Sequence, residues 1–283
     1  MTRLAFLESA TKRLDEAGIE SAHRNAVWIL EDVTRASHAR LLSTPEALLS
    51  EGDRQRAEAM IRRRLTGEPI QYVLGHADFM RLRLAVSPAV LIPRPETEEV
   101  CEHALQSIHQ MDSPWVLDVG TGSGAIALAI KDARPDATVL AVDVSADALA
   151  VATSNAVRLG LDVSFIRGDA LEPQFADRAP SVFDVIVSNP PYVPLQERES
   201  LQPEVRDHEP ALALFVDEDP LIFYRALAGH ALRLLRPGGR LIAETHMDHG
   251  QAAADVFSDA GLVDVSVARD VNGRQRIASA RKP

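Results

Sequence analysis

The stretch from Trp115 to Gly124 constrains this chain most. Trp115-Val116-Leu117-Asp118-Val119 is a short, mostly apolar run of strand-forming residues. It leads directly into Gly120-Thr121-Gly122-Ser123-Gly124, and Ala125 to Ala133 then reads as a helix. A strand that enters a helix through a glycine-rich turn opens a parallel α/β unit. The glycines let the backbone take φ > 0 and come close to a ligand.

The residues that follow extend the same alternation. Thr138 to Val142 is the second strand and Asp143 ends it, 21 residues beyond Gly122. A carboxylate at about that distance is placed to bind ribose hydroxyls. A helix is expected from about Ala146 to Leu159 and strands at Val163 to Arg167 and Phe183 to Ser188. A further helix runs from Leu221 to Leu235 and a strand from Arg240 to Glu244, with Pro237-Gly238-Gly239 as the turn between them. One more helix and strands near Val263 to Val267 and Gln275 to Ala280 close the chain. This order predicts a mostly parallel sheet with helices on both faces.

Upstream the period is different. Residues 2 to about 75 read as helical, with Leu4, Leu7, Leu14, Val27, Ile29, Leu30 and Val33 at helical spacings. Thr44-Pro45 reads as an N-cap followed by proline at the first helical position. A helix from about Asp53 to Leu65 should stop at Gly67. Arg62-Arg63-Arg64 reads as a solvated helix face, with a basic patch facing a partner as the alternative. From His76 to Ser87, Met80, Leu82, Leu84 and Val86 alternate with Arg81, Arg83 and Ala85, a strand or hairpin pattern. Pro93-Arg94-Pro95 then breaks the chain before a helix from about Glu96 to Gln110. The division expected is a helical domain over 1–75, a β-hairpin linker over 76–92 and an α/β domain over 93–283.

Asn189-Pro190-Pro191-Tyr192 follows the strand that ends at Ser188, where ligands of α/β sheets bind. Its chemistry suits a planar NH2 group. The Asn189 amide oxygen and the Pro190 carbonyl are two acceptors. Two prolines stiffen the loop and bring no N–H donors. Tyr192 offers a flat face for stacking. An amide or an exocyclic base amine would fit.

The kind of nucleoside cofactor follows from the charges. Gly120, Gly122 and Ala125 also satisfy the degenerate dinucleotide pattern, but Asp118 just before the loop is a poor neighbour for a pyrophosphate. It suits a ligand with an ammonium group. S-adenosylmethionine carries an ammonium, a sulfonium and a ribose, and so fits Asp118 together with Asp143. Asp169-Ala170, after the third strand, is expected near the adenine, with capping of the following turn as the other use of Asp169.

Bulk properties exclude several classes. With 283 residues and 46% apolar content the chain should form about two globular domains. Its single cysteine, Cys101, allows no internal disulfide, which fits a reducing cytoplasm. No signal-peptide pattern opens the chain and no apolar run is long enough for a membrane span. The net charge of −11 argues against a free nucleic-acid binder, although the charge is uneven. Residues 1–85 hold 13 Lys+Arg and 12 Asp+Glu, and residues 86–283 hold 17 and 29. His246 and His249, with Asp248 between them, read as surface residues, because two ligands at i, i+3 make no metal site alone.

Val116 to Gly124, Ala141-Val142-Asp143 and Ser188 to Tyr192 together resemble the class I S-adenosylmethionine-dependent methyltransferases. Four further stretches narrow the resemblance to the protein glutamine-N5 methyltransferases of peptide chain release factors: Gly67 to Tyr72, Ile92 to Glu98, His208 to Leu212 and Asp270 to Ile277. The resemblance implies a Rossmann-like domain with a mostly parallel seven-stranded sheet, preceded by a small helical domain that helps grip the factor. It implies a cofactor site at Gly120, Thr121, Gly122, Ser123, Gly124, Asp143, Asp169, Ala170 and Asn189, and a substrate and catalytic site at Asn189, Pro190, Pro191 and Tyr192. The substrate it implies is the glutamine of a Gly-Gly-Gln loop. Adenine-N6 methyltransferases share the tetrapeptide, and an enzyme acting on a ribosomal-protein glutamine is a close variant. The family's usual Glu-His-Gly segment is replaced here by Glu244-Thr245-His246-Met247, which gets no assigned role.

Overall fold

The computed structural model describes residues 1–177, 182–270 and 272–283. They form two compact units, Met1–His76 with Gln202–His208, and Ala77–Leu201 with Glu209–Pro283.

The first unit is helical. It contains α1 (Arg3–Glu16), α2 (Ala22–Thr34), α3 (His38–Ser43), α4 (Glu51–Leu65) and α5 (Ile70–Leu74). Thr2 caps α1 by accepting from Ala5 N at 3.1 Å. Phe6, Ala10 and Leu14 of α1 meet Ala26, Ile29, Leu30 and Val33 of α2 and Ala57 and Ile61 of α4 in a single apolar cluster. The start expected at Thr44-Pro45 is not a helix start. Thr44 closes α3, its N–H donating to Arg40 O, and Leu49 N reaches back to Met1 O, so the segment between is drawn to the chain's first residues. The cap of α4 is Ser50, which accepts from Asp53 N at 3.0 Å, with Glu51 and Asp53 complementing the helix dipole.

Of the three arginines at the end of α4, Arg62 and Arg63 are exposed, as a solvated helix face requires, and Arg64 is not. Arg64 is 4% exposed. It donates to Asn25 Oδ1 (2.8 Å), Glu68 O (2.9 Å) and Glu204 Oε2 (2.7 Å). Arg63 binds Glu68 and the carbonyls of Tyr72 and Val73. Guanidinium groups with so many fixed acceptors act as cross-links, although Arg63 stays exposed beside Arg62. The helix then ends at Gly67 with φ +89°, as the glycine suggested.

The second unit opens with the two-stranded sheet β1 (His76–Phe79) and β2 (Leu82–Ala85), followed by α6 (Pro95–Ser107). Then come β3 (Trp115–Val119), α7 (Ala125–Ala133), β4 (Thr138–Asp143), α8 (Ala146–Leu159), β5 (Ser164–Arg167) and β6 (Phe183–Ser188). Between β6 and the last helices lie β7 (Val193–Pro194), α9 (Pro203–His208, which belongs to the first unit), α10 (Ala211–Leu214) and β8 (Phe215–Val216). The chain finishes with α11 (Ile222–Leu234), β9 (Leu235–Glu244), α12 (Gly250–Asp259), β10 (Val263–Arg269) and β11 (Gln275–Arg281).

The main sheet has seven strands in the order β10-β11-β9-β6-β3-β4-β5 among the described residues. The pairs β3/β4, β4/β5, β3/β6 and β6/β9 are parallel, and β11 is antiparallel to both its neighbours. Alternate strand residues face opposite layers. Val116, Val185, Val187 and Ile242 pack with α6 and α7, whereas Leu117, Val119, Ile186, Leu241 and Ala243 pack with α11 and α12. Burial on both faces explains why β6 reads as an unbroken apolar run.

Two local features differ from expectation. Pro237-Gly238-Gly239 is not a turn that precedes a strand but part of β9, bulged at a register shift opposite Phe183 and Val185. Gly238 N and Gly239 O pair with Lys282, which supplies the extended partner. The region from Val193 to Val216, unassigned from sequence, forms the short elements named above. Of the family-like stretch 270–277, Val271 lies outside the described residues.

Candidate active site

The sheet order places the two motifs together. The chain leaves β3 toward β4 and β5, then returns to β6 on the other side of β3. The carboxyl ends of β3 and β6 therefore bound the crevice at the topological switch point, where open α/β sheets bind ligands. Val119 and Ser188 are in register, and Ser188 Oγ donates to Val119 O at 2.7 Å. Gly120 and Asn189 follow directly.

A cavity opens at this point. Its walls include Gly120 to Ser123, Asp143, Asp169, Ala170, Asn189, Pro190 and Pro191, with Arg94 and Thr97 from the start of α6 and Leu212 from α10. Gly120, Gly122 and Gly124 have φ of +76°, +56° and +83°, so all three sit in the region that excludes most side chains. Gly124 is at the cap of α7 instead of on the cavity wall. Gly120 N and Thr121 N both donate to Val142 O, which holds the loop against β4.

Asp143 lines the cavity and supports the loop. One carboxylate oxygen accepts from Gly122 N at 2.8 Å and the other from Ser145 N at 2.9 Å. Burial raises its pKa, against the pull of these N–H groups. Asp169 is on the wall, and its Oδ1 also caps the next turn through Leu171 N at 2.8 Å, so both sequence readings describe it. The Ala170 carbonyl is fixed by a 2.7 Å hydrogen bond with His230 Nε2.

Asp118 is not on the cavity wall, contrary to the expectation that it meets an ammonium group. It is fully buried beneath the loop, where Oδ2 accepts from Thr121 Oγ1 (2.7 Å) and Ala127 N (3.2 Å). Burial pushes its pKa up to about 7, with Asp143 adding a smaller repulsion. Its Oδ1 is buried and has no hydrogen-bond partner. An unpaired carboxylate oxygen beneath a glycine loop is an electrostatic feature that a cationic ligand above the loop would complement. The cavity's lining of cradling glycines and Asp143, with the orphaned acceptor of Asp118 beneath it, fits S-adenosylmethionine.

The tetrapeptide divides into two parts. Asn189, Pro190 and Pro191 line the cavity. Among the described residues nothing donates to the Asn189 side-chain oxygen or to the Pro190 carbonyl, so both acceptors are available to a ligand. Tyr192 does not line the cavity. Its ring packs against the apolar layer of α11 and α12 and its hydroxyl donates to Glu244 Oε1 at 3.0 Å. Burial and the Glu244 charge raise its pKa. The stacking face expected from sequence is, in this geometry, a buttress behind the site.

Asn155 carried no signal in the sequence, whereas Thr97, Glu209 and Glu244 lie in stretches that the sequence singled out without fixing a role for them. Asn155 of α8 donates to Ala85 O and Ser123 O, both at 3.0 Å, and accepts from Ala85 N at 2.7 Å, clipping β2 to the glycine loop. Glu209 accepts from Ile92 N at 3.1 Å and pairs with Arg94, fastening one wall of the cavity. Thr97 and Glu244 are buried and bonded to each other at 2.7 Å, and Asn189 Nδ2 donates to Thr97 Oγ1 at 3.0 Å. Among the described residues no group of three or more His, Cys, Asp or Glu side chains is placed to hold a metal ion, and no helix is long and apolar enough to cross a membrane.

Known proteins resemble this chain in sequence and in fold. Residues 5–75 match the family model described as the PrmC N-terminal domain, and residues 112–275 match a methyltransferase domain model. A release factor glutamine methyltransferase of Streptomyces coelicolor is 40% identical over 282 residues, covering 99% of this chain and 98% of its own. Its counterpart in Chlorobaculum tepidum is 41% identical, covering 97% and 93%. A crystal structure of a methyltransferase from Pyrococcus furiosus superposes with a TM-score of 0.51 over 70% of this chain and 88% of its own, at 18% identity, a likeness of fold. Full-length relatives at this identity, together with a glycine loop and an Asn-Pro-Pro-Tyr corner at one switch point, show that the chain belongs to the release factor glutamine methyltransferase family.

Proposed function

We propose that this chain methylates the N5 amide nitrogen of the glutamine in the Gly-Gly-Gln loop of peptide chain release factors, with S-adenosylmethionine as donor. The observation that carries this reading is the pair of unused acceptors, the Asn189 side-chain oxygen and the Pro190 carbonyl, on the wall of a cavity shared with the glycine loop and Asp143.

A carboxamide nitrogen is a weak nucleophile because its lone pair is delocalised into the carbonyl. Asn189 and Pro190 would accept its two N–H bonds and aim the nitrogen into the cavity. Acceptors fixed by a proline-stiffened loop favour the developing cationic nitrogen over the planar ground state and need no reorganisation as charge builds. Bound S-adenosylmethionine supplies a methyl group made electrophilic by its sulfonium. Gly120 to Ser123 and Asp143 would hold its nucleoside part, with Asp169 and Ala170 at the base, and Asn189 would face both ligands. The methylated amide is acidic enough to release its proton without a dedicated base. Positioning then provides most of the acceleration. The helical first unit is the part of the chain available to recognise the factor.

Incubation with radiolabelled S-adenosylmethionine and purified release factor tests the reading. Label should enter wild-type factor, and should enter neither a factor with the loop glutamine changed to alanine nor bare DNA. Label retained by the alanine factor, or found on DNA, would refute it.

A further inference from the structure

The Asn189 side chain presents an acceptor only in one of its two amide orientations, which are nearly identical in shape. Turned by half a rotation, it would show the cavity an NH2 group and repel the N–H bonds of a carboxamide. We infer that Thr97 and Glu244 form a buried relay that fixes the Asn189 amide with its oxygen toward the cavity. The inference rests on the proposed function only for its catalytic consequence.

The relay follows from donor counting. Glu244 is 1% exposed, at the carboxyl end of β9, and an ionised carboxylate accepts and does not donate. Burial raises its pKa, and the hydroxyls of Thr97 and Tyr192 and the charge of Arg276 act against that rise to favour the ionised form. The Thr97 hydroxyl has one proton, and its oxygen is 2.7 Å from Glu244 Oε2, so the proton belongs there. The Thr97 oxygen is then an acceptor toward Asn189, 3.0 Å away, and only the NH2 end of the amide can meet it. The reversed amide would place two acceptors in contact within a buried site. The remaining Glu244 oxygen takes the Tyr192 hydroxyl at 3.0 Å, so one carboxylate sets both ends of the tetrapeptide. Tyr224 donates to the Glu244 carbonyl at 3.0 Å and holds the end of β9 in place. Thr97 and Glu244 are thus positioning residues that act through Asn189.

Kinetics of Thr97→Val, Thr97→Ser, Glu244→Gln, Asn189→Ala and the Thr97→Val/Asn189→Ala double variant test the relay, with methyl transfer to release factor as the assay and S-adenosylmethionine affinity measured by calorimetry. Valine keeps the shape of Thr97 and removes the relay, so kcat should fall by at least about tenfold while cofactor affinity stays within about threefold. Serine should restore kcat to within about threefold. In the Asn189→Ala background the valine change should cost less than about twofold, because partners acting in one chain are not additive. A kcat for Thr97→Val within threefold of wild type, or an equal loss in both backgrounds, would overturn the relay. If Thr97→Val does not fold, Glu244→Gln carries the same comparison, since its NH2 end accepts from neither hydroxyl and its one oxygen replaces two acceptors. If the wild-type protein does not methylate the factor at all, the functional reading has failed. The relay is then judged by NMR of the Asn189 side-chain amide protons, which should exchange slowly in wild type and in Thr97→Ser but not in Thr97→Val. Equal exchange in all three would overturn it.

Discussion

Asn189 gives the site its sharpest prediction at the residue scale. Its oxygen has no partner among the described residues, and a ligand N–H is the partner the proposed reaction gives it. Asn189→Ala should lower kcat at least about 10²-fold, comparable to removal of one aligned polar group from an active site. Turnover within threefold of wild type would contradict the role. Asp118 makes a prediction of another kind. Its folded pKa of about 7 lies above the ordinary 3.8, so between those values the folded chain holds a proton that the unfolded chain has released. The group's contribution to stability is therefore greatest below about pH 4 and is lost as pH rises toward 7, at up to about 1.4 kcal/mol per pH unit. Asn in its place cannot titrate. Urea unfolding of wild type and Asp118→Asn from pH 4.5 to 8 should show wild type losing ground relative to the variant up to about pH 7, with no change above. A constant difference across the range would refute the raised pKa.

Among the elements, β9 departs most from what its residues suggest. A Pro-Gly-Gly sequence ordinarily makes a turn, yet here it bulges within an extended strand. Asp184 ties the region together, accepting from Trp115 N at 2.8 Å and Arg236 Nη1 at 2.9 Å. A Cβ at Gly239 would come within 3.0 Å of Arg236 O and 3.1 Å of Asp184 O, and backbone atoms paired in a sheet cannot give way cheaply. Gly239→Ala should lower the unfolding free energy by about 1–3 kcal/mol, the usual cost of overpacking. Denaturant titration would measure it, and an unchanged midpoint would show that the bulge tolerates a side chain.

For the molecule as a whole, the division of the chain matters more than its length. The first unit takes in Gln202–His208, far along the sequence, and the Arg64–Glu204 pair at 2.7 Å is one of its internal bonds. A chain that begins at Ala77 would keep α9 without the helices it packs with. Trypsin cleavage at Arg206 should then be faster by at least about tenfold than in the full chain, because local protection depends on such contacts. Equal cleavage rates would show that α9 holds its structure alone.

What the sequence determined by itself was whatever local chemistry dictates. The strand from Trp115 to Val119, the helices Ala125 to Ala133 and Ala146 to Leu159, and the strand from Phe183 to Ser188 sit where periodicity put them. Three glycines at positive φ were legible because no other residue takes that backbone so readily. The acceptors of Asn189 and Pro190 were legible because their availability follows from proline's lack of a donor. Tertiary structure alone decided what depends on distant partners. It moved Asp118 from the cavity to the floor of the loop, Tyr192 from the wall to a buttress, and Arg64 from the surface into a cross-link. It also joined Thr97 to Glu244 across 147 positions of chain. A side chain's role is fixed by the groups it meets, and sequence spacing reports only the neighbours within one element.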